Sequence, residues 1–202
     1  MSRGRFVVLE GGEGSGKSTQ VPMLAQRLRE GGREVVVTFE PGATARGRRM
    51  RELLLDDHSD LDARAELLLI AADRAQHVAE VVSPALERGA DVVSDRFAPS
   101  TLAYQGIARA LGVDAVEAVS GFAAVGVEPD VVVVIDVDDA TAEDRKRGEP
   151  DRLESAGAEF HRVVRQAYRD LARGRDWIVV DGSGSPDDVG EAIWTAVRSR
   201  LQ

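Results

Sequence analysis

A short apolar run, Phe6 to Leu9, passes through Glu10 into Gly11-Gly12-Glu13-Gly14-Ser15-Gly16-Lys17-Ser18-Thr19, and helical spacing begins near Lys17. Glycine costs about 1 kcal/mol relative to alanine in a regular element, so this density of glycines demands a tight turn with a local purpose. Strand, glycine loop and helix in immediate succession are the first half of a crossover unit. The helix must pack back on a sheet whose next strand runs parallel to the first.

The rest of the chain repeats that alternation. Apolar runs at Phe6 to Leu9, Glu34 to Thr38, Asp91 to Ser94, Asp130 to Val137 and Trp177 to Asp181 are dominated by valine, which suits strands buried on both faces. Between them, Val21, Leu24 and Leu28 lie at helical steps, as do Leu61, Ala65, Leu68 and Ala72. Residues Glu154 to Arg173 carry Phe160, Val163, Val164, Tyr168 and Leu171 on one side. The pattern predicts an α/β chain with a five-stranded parallel sheet flanked by helices in three layers; with the glycine loop, whose spacing is that of a phosphate-binding P-loop, G-x-x-x-x-G-K-[ST] at residues 11–18, the expected fold is that of the P-loop NTPases. No repeat or domain boundary interrupts residues 1–202, which read as one domain. Asp60, in the acidic stretch 56–62, is expected to cap the following helix. The charged stretch 146–152, with Gly148 and Pro150, reads as a mobile loop between two helices.

Composition narrows the partners. A net charge of -9 argues against a general nucleic-acid binder, so an anionic ligand must be held by a local cluster of cations. The chain has no cysteine, which excludes disulfides and thiolate chemistry. The first apolar run is too short for a signal peptide and no stretch approaches the roughly 18 apolar residues of a membrane span. A cytoplasmic protein without membrane contact is expected. His58, His77 and His161 lack paired ligand spacing and read as surface or packing residues. Trp177 and Trp194 read as parts of the core.

Gly11, Gly16, Lys17 and Ser18 fit G-x-x-x-x-G-K-[ST] in the required strand and helix context. Such a loop turns its N–H groups inward, and the helix N-terminus adds partial positive charge. Gly11, Gly12, Glu13, Gly14, Ser15, Gly16, Lys17, Ser18 and Thr19 are therefore candidates for holding ATP. Lys17 would reach the β- and γ-phosphates and the Ser18 hydroxyl would ligate Mg²⁺. A GTPase switch is disfavoured, since the chain has no asparagine for a guanine-reading N-K-x-D and its D-x-x-G at 181–184 reads as the loop after the last strand.

A second site is expected where the third apolar run ends, in Ser94-Asp95-Arg96-Phe97-Ala98-Pro99-Ser100-Thr101-Leu102-Ala103-Tyr104-Gln105-Gly106. Ligands of open parallel sheets gather at the carboxyl ends of the strands. Asp95 could orient the magnesium shell, and the planar Arg96 fork could grip phosphate oxygens. Thr101, Tyr104 and Gln105 share one face at steps of three and four.

With these motifs in hand, the chain resembles the bacterial thymidylate kinases, which pass a phosphoryl group from ATP to dTMP. The resemblance covers essentially the whole chain: the glycine loop, then Thr38-Phe39-Glu40-Pro41-Gly42, Ala71-Ala72-Asp73-Arg74-Ala75-Gln76-His77, the segment 95–106, and Arg147-Gly148-Glu149-Pro150-Asp151-Arg152-Leu153-Glu154. It implies that Glu40 and Pro41 line the monophosphate site, with a candidate cis bond before the proline. It also implies that Arg74, Thr101 and Gln105 read the base and that Tyr104 packs under the sugar and disfavours a 2′-hydroxyl. Arg96 would hold the acceptor phosphate. Residues about 141–154 would form a mobile lid over ATP, with Arg147 acting in catalysis and Arg152 on ATP, and the protein would be a homodimer.

Three departures from the family pattern stand out. Phe39 replaces an arginine near the acceptor phosphate. Ile70 stands where an aromatic residue stacks on thymine, a contact worth about 1 to 3 kcal/mol per base, so a weaker hold on the monophosphate or a shifted base preference is expected. The lid is short and poor in arginine, with Glu143 near a usually basic position, which leaves open whether Arg145 or Arg147 serves the phosphates. Two rival readings remain: a kinase for another nucleoside monophosphate or a deoxynucleoside, and a P-loop ATPase or regulatory protein with no acceptor.

Overall fold

The computed structural model describes residues 3–56, 61–145 and 152–201. Strands β1 (Phe6–Glu10), β2 (Val35–Phe39), β3 (Asp91–Asp95), β4 (Val131–Asp136) and β5 (Ile178–Asp181) form one parallel sheet in the order β2-β3-β1-β4-β5. The valine-rich central strands are buried on both faces, because successive side chains alternate between them and helices cover each. The edges differ from the expectation: Val37 and Phe39 on β2 and Val179 on β5 are between 43% and 48% exposed.

The helices are α1 (Lys17–Glu30), α2 (Ala45–Leu55), α3 (Ala63–His77), α4 (Ser83–Glu87), α5 (Ala98–Thr101), α6 (Val113–Ala124), α7 (Asp139–Asp144), α8 (Ala158–Arg173) and α9 (Pro186–Arg200). One face of the sheet presents Val7, Leu9, Val133 and Ile135 to Val21, Leu24 and Leu28 of α1 and Val189, Ile193 and Val197 of α9. The opposite face presents Phe6 and Val8 to Val78, Val82, Leu86 and Phe97. A third cluster joins Tyr168, Val164 and Leu171 of α8 to Leu102 and Tyr104. Trp177 packs against this cluster and Trp194 against the first.

Two segments fold with five-residue hydrogen bonding, Val78–Val82 between α3 and α4 and Leu102–Ala108 after α5. Wide turns of this kind often sit beside functional sites, and the second carries Tyr104 and Gln105.

Three helical expectations change. The stripe Leu61, Ala65, Leu68 and Ala72 is not the buried one: Leu61 precedes α3 and Leu68 is 60% exposed, while Glu66, Leu67, Ala71, Asp73, Arg74 and His77 of α3 turn inward. Hydrophobic spacing misses this face because most of it is polar and paired internally. The expected single helix Glu154 to Arg173 is a 3₁₀ turn at Glu154–Ala156 and then α8, separated by Gly157 at φ 94. The cap of α3 is Asp62, which accepts from Arg64 N at 2.9 Å; Asp60 and His58 lie outside the described residues, as do residues 146–151 of the expected loop.

Candidate active site

β1 is central, with β3 on one side and β4 on the other, so the chain departs to opposite sides of the sheet around its carboxyl end. A crevice forms at such a point, and the glycine loop fills it. Gly11 and Gly14 adopt φ 140 and 70, and a Cβ on either would meet a backbone oxygen, Ile135 O at 2.4 Å or Ala142 O at 2.5 Å. Only glycine lets the loop pass this close to the ends of β4 and α7.

Lys17 is buried, its Nζ donating to Gly11 O at 3.0 Å, Gly12 O at 2.8 Å and Ser15 Oγ at 3.1 Å. Burial, and next the Arg96 charge, lower its pKa to about 7 against the opposing pull of Asp95, Glu10 and Glu13. Around the loop opens a cavity of about 1130 Å³ lined by Glu13 to Gln20, Phe39, Asp95, Arg145, Gly182 and Gly184 among others. A second cavity of about 150 Å³ lies beside it, lined by Pro41, Leu54, Ile70, Arg74, Phe97, Ser100, Thr101, Tyr104, Gln105 and Leu153 among others. Glu13, Glu40, Arg51 and Arg96 line both cavities and mark their boundary.

Arg96 sits at that boundary with φ 71, a conformation costing a non-glycine residue about 1 kcal/mol. Its N–H donates to Leu9 O at 3.0 Å, and its own carbonyl accepts from Ser94 Oγ at 2.8 Å, which holds the turn. Nη1 donates to Gly11 O, Ser100 Oγ and Tyr168 OH, and Nη2 to Tyr104 OH at 3.3 Å. Burial alone would lower its pKa, but the Tyr104 and Tyr168 hydroxyls with Asp95 and Glu10 raise it above the ordinary arginine value. Behind it, fully buried Glu10 accepts from Phe97 N, Ser100 N, Ser100 Oγ and Tyr168 OH. Glu10 was not singled out from the sequence, although an acid closing an otherwise apolar central strand is an anomaly that points to it.

The far wall of the smaller cavity is a polar network. Glu40, joined to Pro41 by a cis bond, accepts from Arg74 Nε at 3.0 Å and contacts Arg74 Nη2 at 2.9 Å and His77 Nδ1 at 2.8 Å. Arg74 also donates to Ser120 Oγ at 3.1 Å and Thr101 Oγ1 at 2.8 Å, and lies 5.0 Å from the Phe97 ring. A guanidinium has five N–H donors, so one Nη1 hydrogen remains, and Thr101, already an acceptor, keeps its hydroxyl hydrogen to give. Gln105 is buried with its Nε2 on Glu66 Oε1 at 2.7 Å. His77, read from the sequence as packing or surface, is fully buried between Glu40 and Thr38.

The Asp95 Oδ1 atom is buried and accepts no hydrogen bond among the described residues. It lines the larger cavity with Ser18 and Thr19. An unsatisfied carboxylate oxygen beside an exposed hydroxyl and a phosphate loop is a donor set that fits Mg²⁺, which takes one or two protein oxygens and completes its shell with phosphates and water. No cluster of three or more acidic, histidine or cysteine ligands occurs among the described residues.

The arginines separate. Arg145 Nη1 lies on Gly182 O at 2.8 Å, and the guanidinium reaches the rim of the loop, 4.0 Å from where a Cβ on Gly16 would stand. Arg152 instead spans Leu54 O at 2.7 Å and Glu66 Oε2 at 2.6 Å, beside the smaller cavity. Arg147 lies outside the described residues. Arg51 was missed in the sequence among the basic residues of α2; its Nη1 donates to Pro41 O at 2.9 Å, and it places a cation near the position where Phe39 lacks one.

A family model for thymidylate kinase matches residues 9–193. The chain is 46% identical over 204 residues to the thymidylate kinase of Halothermothrix orenii, covering 98% of this chain and 99% of that one. It is 45% identical over 204 residues to the thymidylate kinase of Deinococcus radiodurans, with 99% of both chains covered. It is 48% identical over 202 residues to that of Clavibacter sepedonicus, with 98% and 94% covered.

Proposed function

This chain belongs to the thymidylate kinase family, and on that premise we propose that it transfers the γ-phosphoryl group of ATP to dTMP, giving dTDP and ADP. The observation that carries the reading is the pair of cavities divided by Glu13, Glu40, Arg51 and Arg96. A triphosphate wrapped by residues 11–19 and a monophosphate in the smaller cavity would bring their phosphates together at that boundary.

The acceptor phosphate, with a second pKa near 6, is mostly dianionic at neutral pH, so no general base is required. What the protein must supply is positioning and positive charge for a loose transition state. Lys17 would move from its loop carbonyls to the β- and γ-oxygens; Arg96 and Arg51 would hold the acceptor, and Arg145 or Arg147 would close on the donor from the lid. Ser18 and Asp95 would hold Mg²⁺, which when bound offsets phosphate charge. At the base end, the remaining Arg74 hydrogen and the Thr101 hydroxyl offer donors to the thymine 4-carbonyl, Ile70 covers the ring, and Tyr104 packs under a deoxyribose.

A homodimer is part of the proposal. Leu53 on α2, Leu68 on α3 and Phe122 on α6 are 59%, 60% and 89% exposed, and Val125 just after α6 is 80% exposed. These helices pack on one another, and a second copy would remove that apolar surface from water. We assign the protein to the cytoplasm, where ATP and dTMP are found, with nucleotides rather than nucleic acid as ligands, in keeping with its net charge of -9. No helix among the described residues is long and apolar enough to cross a membrane.

ADP release measured with dTMP, dUMP, dCMP, dGMP, UMP and CMP tests the assignment. Fastest turnover on dTMP is expected. Faster turnover on another monophosphate would identify a different kinase, and ATP hydrolysis indifferent to every monophosphate would identify an ATPase.

A further inference from the structure

Glu66 lies outside every contact so far ascribed to substrate, yet four bonds converge on it. Its side chain is 1% exposed on α3 and accepts from Gln105 Nε2 at 2.7 Å, Arg109 Nε and Nη2 at 3.3 Å, and Arg152 Nη2 at 2.6 Å. Burial alone would raise its pKa, but the bonds from Gln105 and Arg152 and the Arg109 charge hold the carboxyl below the usual range. Such a carboxylate can only accept.

That restriction decides the orientation of Gln105. A terminal amide has a donating and an accepting end, and either can face a neighbour that is itself both donor and acceptor. Beside Glu66 the NH₂ end must turn to the carboxylate. The amide oxygen is left on the cavity side, and no group among the described residues donates to it. The base end of the pocket therefore presents donors from Arg74 and Thr101 and one acceptor from Gln105. Thymine carries the complement, an accepting 4-carbonyl next to a donating N3–H. Cytosine carries the reverse, a donating 4-amino group next to an accepting N3.

We propose that Glu66 is a positioning residue for base selection: by holding the amide of Gln105 in one orientation it makes the pocket ask for a ring N3–H. The inference rests on the dTMP kinase reading and adds to it the residue that sets the sign of one hydrogen bond. Arg109 and Arg152 serve it by keeping Glu66 anionic.

The test compares dTMP with dCMP in Glu66→Gln, which keeps the side-chain volume but can donate to the Gln105 oxygen and release the amide to turn. The KM for dTMP is expected to rise about tenfold, the cost of one misplaced buried partner. The ratio of kcat/KM for dTMP over dCMP should fall by a similar factor, while the KM for ATP moves less than about threefold. KM and this ratio do not depend on how much of the variant folds, so a purely structural role would leave them in place. In a Gln105→Leu background the same substitution should have no further effect on the ratio, and Gln105→Leu alone should lower it even if Glu66→Gln yields no folded protein. An unchanged ratio in Glu66→Gln or in Gln105→Leu, or an equal loss from Glu66→Gln with and without Gln105, would overturn the proposal. A wild-type enzyme inactive on dTMP would instead overturn the reading beneath it, before any variant is measured.

Discussion

In the structure the Lys17 ammonium rests on two carbonyls and a hydroxyl of its own loop, and burial brings its pKa to about 7. A buried cation held this way costs stability unless something more negative than a carbonyl replaces its partners. Lys17→Ala should therefore cut kcat by about 10³-fold or more, while its melting temperature stays equal to or above that of the wild type. ADP release and thermal melts read the two effects; near-normal turnover would remove Lys17 from the mechanism. Ile70 lines the smaller cavity without an aromatic face to offer a base. Ile70→Phe should lower the KM for dTMP several-fold, within the roughly 1 to 3 kcal/mol that stacking adds, and a KM that stays put would place the side chain away from the ring. Lys17, Asp95 and Arg96 were legible as residues because their types and neighbours are chemically suggestive. The cluster of Glu10, Ser100 and Tyr168 around Arg96 was not, because its three members are remote from one another in sequence and meet only through the sheet and α8.

At the scale of elements, α3 does the most with the least apparent signal. It carries Glu66, Ile70, Asp73, Arg74 and His77, and Asp73 accepts from Gly42 N at 3.1 Å and 3.2 Å, fixing the turn that follows the cis proline. Asp73 is fully buried, and desolvation, followed by the Glu40 charge, raises its pKa to about 6 from an ordinary 3.8. Between those two values the folded chain binds more protons than the unfolded one, so stability falls as pH rises through the window, and the loss is complete above it. Asp73→Asn keeps an oxygen for Gly42 N without the charge. Urea unfolding should find the variant on the order of 2 kcal/mol more stable relative to wild type at pH 7.5 than at pH 4. A difference that does not change with pH would show that Asp73 carries no such cost. The glycine loop is the opposite case, an element whose residues announce it: the motif glycines Gly11 and Gly16 stand at φ 140 and 93, as its tight turn needs, while the close approach of Gly14 to Ala142 is settled only by the fold.

For the whole molecule, the proposed homodimer rests on the exposed apolar side chains of α2, α3 and α6. Phe122→Arg should convert a dimer to a monomer in sedimentation velocity, with little change in the melting temperature measured at low concentration, since Phe122 is 89% exposed within one chain. A sedimentation coefficient the same for variant and wild type would place the contact elsewhere.

The sequence by itself determined the order of strands and helices, the phosphate loop and the family, because each depends on short-range spacing: valine runs, glycines that permit positive φ, and a lysine and serine at set offsets. It also supplied most of the candidates around the smaller cavity, including Arg74, Thr101, Tyr104 and Gln105. Only the tertiary structure decided which stripe of α3 faces inward, since that face mixes Leu67 and Ala71 with Glu66, Asp73, Arg74 and His77 and its apolar spacing is too sparse to stand out. It also decided that Arg152 lies on Glu66 beside the smaller cavity while Arg145 lies at the glycine loop, and that Glu13, Glu40, Arg51 and Arg96 stand between two cavities. The physical reason is that a charge takes its role from the partner it can reach, and for Glu40 with Arg74, Arg145 with Gly182 and Arg152 with Glu66 those partners are dozens of residues away along the chain and a hydrogen bond away in space.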